Sequence, residues 1–477
     1  VDIPIPEEPV IQSSAPDSVG PLRMRGADLI DAEGRVVLIH GMNSVKKDAP
    51  FISPLTSGWL GQLEREYLAN SGFNAIRLGV DYAALMPEPG VIDEAYIDQV
   101  VLVVDQMSED GFWVQLDFHQ DVFHQMPTWA TPPNAANLSD EAPEILSFIG
   151  WAARYMSDKS MRQWNSFVKG EPIIDGRSVA SVLGDAAAAL AERVIDHKNV
   201  IGIELLNEPF PGTPIIDCIL QGCPGRDRLL SERYAEMIAP IRSVAPEMPI
   251  WIEPFAPTGY AAFPAMPAPQ LVPASDGAQL GLAWHLYCKD TDGGSSVPSD
   301  AGITNFCEQR MANGFKAGAN LARRLGVGTG SNVGVPRMLN EFGASNDPLD
   351  VTIATRMADE QFVSWMYWHG STALTPIDSS IPDVVEAQII RPYPQATAGT
   401  PGSLKYVPSS GDFSYKFVPD ATITAPTSIA VPARAYPAGY QASVANGTIT
   451  SSEQAGRLTV VPDGSGLPVT VTISRLR

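Results

Sequence analysis

The chain has 477 residues, of which 44% are apolar and 18% charged, the proportions of a globular protein and not of a disordered one. A formal net charge of −22 argues against nucleic acid and anionic lipid as bulk electrostatic partners, because both would be repelled. No run approaches the roughly 18 consecutive apolar residues of a membrane-spanning helix. The opening VDIPIPEEPVIQSS also lacks the basic and apolar regions of an intact signal peptide, so the chain is expected to be a mature secreted form or a cytosolic protein.

In chain order, residues 1–21 read as an extended segment. LRMRGADLIDAEGRVVLI then reads as a hairpin turning at Ala32-Glu33-Gly34, suited to capping the bottom of a following barrel. Eight apolar, β-branched runs follow: 36–43, 75–80, 113–118, 200–206, 249–255, 280–287, 337–343 and 364–369. Good helix formers lie between them, among them EAYIDQVVLVVDQMSED and SVLGDAAAALAERVIDHK. Strand followed by helix, eight times, predicts a (β/α)8 barrel with enlarged loops. The interval 119–199 is too long for one crossover. Its stretches EILSFIGWAARYM and MRQWNSFVKG are amphipathic, and either pack on the barrel or line an apolar groove.

Four cysteines allow three full pairings, and none has zinc spacing. Local pairing, Cys218 with Cys223 and Cys288 with Cys307, is the simplest arrangement and favours an oxidising, extracellular home; four free thiols are the alternative. After about 390 the sequence turns to Pro, Gly, Ser, Thr and Val with alternation, the pattern of a small β-sandwich. Residues 401–477 carry six Lys/Arg against four Asp/Glu, so the acidic excess belongs to the preceding part. The expected division is therefore an N-terminal segment 1–21, a barrel with its hairpin over 22–390, and a sandwich over 391–477.

In such barrels, function collects at the carboxyl ends of the strands. His40 and Asn43 fall at the end of the first run, Arg77 in the second, His119 and Asp121 after the third, and Asn207 and Glu208 after the fourth. His285 and Tyr287 end the sixth, Glu341 the seventh, and Trp368 and His369 the eighth. Two glutamates at the ends of buried strands are costly to desolvate unless they converge on a cleft. A convergent pair is the equipment for cleaving a glycosidic bond, one carboxyl protonating the leaving oxygen and the other attacking the anomeric carbon. Glu208 and Glu341 are the candidates. Arg77 would keep the nucleophile ionised and Tyr287 would orient it, Asn207 would hold a sugar hydroxyl, and Trp368 would offer a stacking face.

The opening over 26–43, IRLGV at 76–80, HQDVF at 119–123, LNEPF at 206–210, HLY at 285–287, NEFG at 340–343 and YWHG at 367–370 resemble glycoside hydrolase family 5. More narrowly, HQDVF, the Pro-Thr-Trp-Ala string at 127–130 and the tail RPYPQATAGTP resemble the bacterial endoglycoceramidases. The resemblance implies a (β/α)8 barrel with a C-terminal β-sandwich and retaining hydrolysis of the β-linkage between an oligosaccharide and ceramide, with no metal and no cofactor. It makes Glu208 the acid/base and Glu341 the nucleophile. Arg77, His119, Asn207, His285, Tyr287 and Trp368 match the supporting residues, and Asp121, Lys47 and Trp129 match substrate-binding ones, with Lys46 competing for the lysine's place. It further implies a glycosphingolipid substrate, transient contact with a lipid surface or micelle, and a secreted monomer. His40 stands where the family usually has arginine, the first β/α loop is short, and Cys288 follows HLY where proline is common. The resemblance puts these departures on the sugar side, which leaves open the preferred glycan, galactosylceramides and 6-linked galactose series included. The alternatives are another family 5 β-glycanase and a non-catalytic glycolipid-binding protein.

Overall fold

A computed structural model describes residues 19–144, 153–212, 223–256, 279–287, 301–328, 331, 333–344, 348–368 and 383–476, with the backbone alone at 59, 301–306, 328 and 383–384. Eight parallel strands close into a barrel in strict chain order: His40–Ser44, Ala75–Val80, Trp113–Phe118, Val200–Glu204, Ile250–Ile252, Leu280–His285, Arg337–Glu341 and Ser364–Tyr367. Every residue of the second to sixth strands is buried, as expected when helices cover the outer face and side chains fill the inside. The predicted helices form. Asp93 and Ser178 cap two of them, Glu94–Glu109 and Val179–Val194, by accepting backbone N–H bonds from Tyr96 and Ser181.

Inside the barrel, the layer nearest the amino ends of the strands is apolar. Ile39, Trp113, Ile201, Trp251, Ala283, Met338 and Met366 share one core there with Leu22 and Leu29. The N-terminal hairpin thus plugs the barrel floor as expected, and it does more. Its strand Val36–Val37 pairs antiparallel with Tyr393–Thr397, so the hairpin extends a seven-stranded sheet of the C-terminal domain. The single run read at 36–43 is accordingly two strands, the first in that sheet and the second, from His40, in the barrel. A four-stranded antiparallel sheet faces the seven-stranded one across a core that includes Tyr415, Phe417, Ile429, Val460 and Val471. This is the expected sandwich.

His40 departs from its expected place. It opens the first barrel strand instead of ending it, and its ring lies between Trp365 and Tyr393, with centroids 4.1 and 3.6 Å away, at the junction of barrel and sandwich. The substitution of histidine for the usual arginine therefore belongs to domain packing and not to the sugar side. The reason is parity: Ile39 packs into the barrel floor and Asn43 bonds to interior groups, so the intervening His40 points outward.

In the long third loop, MRQWNSFVKG belongs to the helix Asp158–Lys169, which buries Trp164 and Phe167 against the barrel, the packing alternative of the two. EILSFIGWAARYM lies largely outside the described residues, as does His369. Cys223 and Cys307 are both disulfide-bonded, while Cys218 and Cys288 fall outside the described residues, so the local pairing is not visible.

Burial, reinforced by Arg391, holds the His40 ring well below its ordinary 6.5, and neither ring nitrogen has a hydrogen-bond partner among the described residues. Below that value the unfolded chain binds a proton that the folded chain refuses, so this group costs stability as pH falls. His40→Phe keeps the stacked ring and removes the titration. Urea unfolding at about pH 7.5 and about pH 5 should show a smaller acid loss in the variant than in the parent, and an equal loss would refute the assignment.

Candidate active site

Toward the carboxyl ends of the strands the barrel interior changes from apolar to charged. At its centre Arg77 is completely buried. Its Nε donates to Glu204 Oε2 at 2.8 Å, and Nη1 donates to Glu341 Oε1 at 2.6 Å and Asn43 Oδ1 at 2.9 Å. Nη2 donates to Asn207 Oδ1 at 2.8 Å and lies 3.0 Å from Asp117 Oδ1 and 3.7 Å from Glu253 Oε1. Burial would strip the guanidinium of its proton, but Asp117, Glu204 and Glu341 outweigh it and raise Arg77 well above its ordinary range.

The two predicted glutamates converge. Glu341 ends the seventh strand and accepts from Arg77 on one oxygen and from Tyr287 Oη at 2.8 Å on the other. Glu208 presents Oε1 to His285 Nδ1 at 2.8 Å, and the same nitrogen stands 3.2 Å from Glu341 Oε2. An oxygen of Glu208, the His285 nitrogen and an oxygen of Glu341 all lie within 4.8 Å of one another. Burial raises the Glu341 carboxyl above its ordinary 4.5, opposed by the cations His285 and Arg77 and reinforced by Glu208.

The backbone explains how Glu208 reaches this position. Its φ is +45°, left-handed for a residue with a side chain, a conformation that costs on the order of 1–3 kcal/mol. Asn207 N–H donates to Phe118 O at 3.0 Å, and the Gln120 amide donates to the carbonyls of Asn207 and Glu208 at 2.7 and 3.1 Å. The turn that lifts the acid off its strand is thus held by the HQD string. On the opposite side Gly343, at φ +102°, lets the chain pass where any side chain would collide with the Tyr367 ring, and this brings Trp368 to the mouth.

A second group forms beside the carboxylates. His119 Nδ1 pairs with Asp117 Oδ2 at 2.8 Å, its ring lies parallel to Trp368 with centroids 5.4 Å apart, and Lys47 pairs with Asp121 while standing 5.0 Å over the Trp368 ring. Lys46 instead faces Asp48 near the surface, so Lys47 is the lysine of this group. Burial works against a charged His119, yet Asp117 and Asp121 prevail and lift it to about 9. Burial likewise pushes Asp121 up, and His119 and Lys47 overcome it and hold the carboxyl well below its usual range. Trp129 lies outside this network; its indole N–H donates to Met86 O at 3.0 Å.

Four participants escaped the sequence reading. Asp117 and Glu204 sit inside runs read only as strand, and Glu253 follows the fifth strand, within PIWIEPF, where the same rule of polar strand ends would have found it. Tyr155, whose hydroxyl is 3.5 Å from Glu208 Oε2 and whose ring stacks on Phe210, comes from the long loop and carries no local signal. Two trios, Glu204–Glu253–His285 and Glu208–His285–Glu341, are spaced to hold a divalent cation, although Arg77 already supplies positive charge between them.

Residues 65–373 match the family model for cellulase (glycosyl hydrolase family 5), and 391–473 match that of the glycoside hydrolase family 5 C-terminal domain. The chain belongs to glycoside hydrolase family 5. This family 5 glycoside hydrolase is 35% identical over 462 residues to endoglycoceramidase I of Rhodococcus hoagii (strain 103S), covering 95% of this chain and 88% of the relative. It is 26% identical over 445 residues to an endoglycoceramidase of Cyanea nozakii, covering 84% and 82%. Among solved structures, the ganglioside GM3 complex of endo-glycoceramidase II from Rhodococcus sp. superposes with a TM-score of 0.75 at 26% identity, over 95% of this chain and all of that one.

Removing the Arg77 cation leaves Asp117 and Glu204 buried without their counter-ion. Arg77→Met in this family 5 enzyme should lower the unfolding free energy by about 3–5 kcal/mol. Urea denaturation followed by fluorescence measures it, and a loss within about 0.5 kcal/mol would mean that the network is not structural.

Proposed function

We propose that the protein is a retaining endo-glycosidase that releases the glycan of a glycosphingolipid from its ceramide, with Glu208 as acid/base and Glu341 as nucleophile. The observation that carries the reaction is that an oxygen of Glu208 and an oxygen of Glu341 lie within 4.8 Å of each other. It agrees with the roughly 5–5.5 Å of retaining enzymes and not with the roughly 6.5–9.5 Å of inverting ones, which need room for a water. Similarity along nearly the whole chain to proteins named endoglycoceramidases, one of them solved with ganglioside GM3, supplies the substrate class.

In this reading Glu208 gives its proton to the glycosidic oxygen as the bond to the anomeric carbon breaks, and ceramide departs as the alcohol. Glu341 forms the bond to that carbon in the same step. A water then gives a proton to Glu208 and attacks the anomeric carbon, which frees the glycan and Glu341. Arg77 and Tyr287 donate to the two Glu341 oxygens and favour its ionised form. Asn207, held by Arg77, presents its side chain beside the acid for a sugar hydroxyl, and Trp368, His119, Asp121 and Lys47 bind the glycan. The disulfide-bonded Cys223 and Cys307 favour action outside the reducing cytosol. The enzyme acts as a monomer in transient contact with micelles or lipid surfaces.

A fluorescent lactosylceramide should be cleaved and carboxymethylcellulose left intact; the reverse outcome would reassign the protein as a β-glycanase. Proton NMR of the first-formed glycan should show the β anomer, whereas an initial α anomer rules out retention. Glu341→Ser should abolish turnover, and Glu208→Ala should lower kcat/KM on the ceramide substrate by about 10²–10⁴-fold. Normal turnover in either variant would remove that residue from its role.

A further inference from the structure

We propose that Glu253, at the carboxyl end of the fifth strand, positions the acid/base carboxyl of Glu208, acting through the His285 ring and through the Glu208 backbone amide. The inference rests on the acid/base reading of Glu208. Glu253 is buried at 2% exposure, behind the His285 ring. Its Oε1 lies 3.0 Å from His285 Nε2, and the other ring nitrogen, Nδ1, faces Glu208 Oε1 at 2.8 Å and Glu341 Oε2 at 3.2 Å. Its Oε2 accepts the Glu208 backbone N–H at 3.3 Å, at the residue held with φ +45°. One side chain therefore grips the acid at both ends.

The groups facing Glu253 are Glu204 on the fourth strand, Arg77 on the second at 3.7 Å, His285 on the sixth, and Tyr234 on the helix Pro224–Val244, whose hydroxyl donates to the Glu253 carbonyl at 2.8 Å. Of the two neighbouring carboxyls, Glu204 takes the charge: burial opposes it, but Arg77 brings it down to about 2. Burial pushes Glu253 well above its ordinary 4.5, His285 opposes, and the Glu204 charge adds to the rise. Burial works against a charged His285, yet the surrounding carboxyls prevail and lift the ring well above its ordinary 6.5, so Nε2–H faces Glu253 Oε1 and Nδ1–H faces Glu208 and Glu341. Nδ1–H then donates to Glu208 Oε1 and leaves the catalytic proton on Oε2, away from the ring. Without the Glu253 carboxyl, Nε2–H has no acceptor behind it, and the ring that orders the Glu208 carboxyl is free to turn.

The test compares Glu253→Met, which has neither donor nor acceptor, with Glu253→Gln, whose amide supplies both. Each is assayed on lactosylceramide, whose leaving group needs a proton, and on lactosyl fluoride, whose leaving group depends on one far less. Glu253→Met should lose about 10²-fold in kcat/KM on lactosylceramide and much less on the fluoride, and Glu253→Gln should recover at least about tenfold of that loss. Equal losses on the two substrates, or a Gln variant as poor as Met, overturn the proposal. Should the Met variant not fold, nitrogen-15 NMR of the parent enzyme decides: a protonated Nδ1 on His285 at neutral pH supports the proposal and a bare one overturns it. Glu208→Ala in parallel separates the two levels, since an acid/base residue must itself show the leaving-group split. If Glu208→Ala lacks the split the reading of Glu208 fails, and if only Glu253→Met lacks it the positioning role fails.

Discussion

A single buried guanidinium organises the interior of this barrel. Arg77, on the second strand, collects Glu204, Glu341, Asp117, Asn43 and Asn207, side chains from the first, third and seventh strands and from the fourth strand and its loop. Placing so many acidic groups inside a protein is unfavourable unless each finds a cation or a donor. Arginine alone offers five N–H groups in a rigid plane and keeps its charge at full burial. The closed barrel makes this arrangement possible, because parallel strands in unbroken order aim the ends of all eight at one central volume.

The remaining architecture keeps that volume in register. Below the charged layer lies an apolar one, closed by Leu22 and Leu29 of the N-terminal hairpin. The hairpin also donates a strand to the C-terminal sheet, so the floor of the barrel and the sandwich are one hydrogen-bonded assembly. His40 marks the same junction, stacked between a barrel tryptophan and a sandwich tyrosine. Removing the sandwich would therefore expose the outer face of the first and eighth strands.

Within the mouth, two chemistries are separated by what surrounds each acid. Glu341 accepts from the Arg77 guanidinium on one oxygen and from Tyr287 on the other, and that cation opposes the rise that burial imposes on it, whereas Glu208 meets the His285 ring on one oxygen and the loop tyrosine Tyr155 near the other. The asymmetry arises from position. Glu341 is part of a strand and lies over Arg77, while Glu208 is lifted beyond its strand by a left-handed turn and lies over His285.

How much was legible depends on whether a feature is written locally. The strand–helix alternation, the hairpin turn, the sandwich pattern and both glutamates could be read because backbone preference, hydrophobic period and residue type at a strand end are properties of short segments. Seven of eight barrel strands begin within two residues of where the pattern places them. The first did not, because an unbroken apolar run conceals the point at which the chain leaves one sheet for another. Asp117 and Glu204 stayed hidden for a related reason: an acidic residue in a strand has no local sign of the cation that will neutralise it, whereas Glu253, just past the fifth strand, was within reach of the strand-end rule. The sequence by itself determined the barrel, the appended sandwich and the pair of acids. Only the tertiary structure decided which way His40 faces, that Lys47 and not Lys46 joins Asp121, and that Glu253 stands behind His285, since each depends on distances across a closed barrel that no single segment encodes.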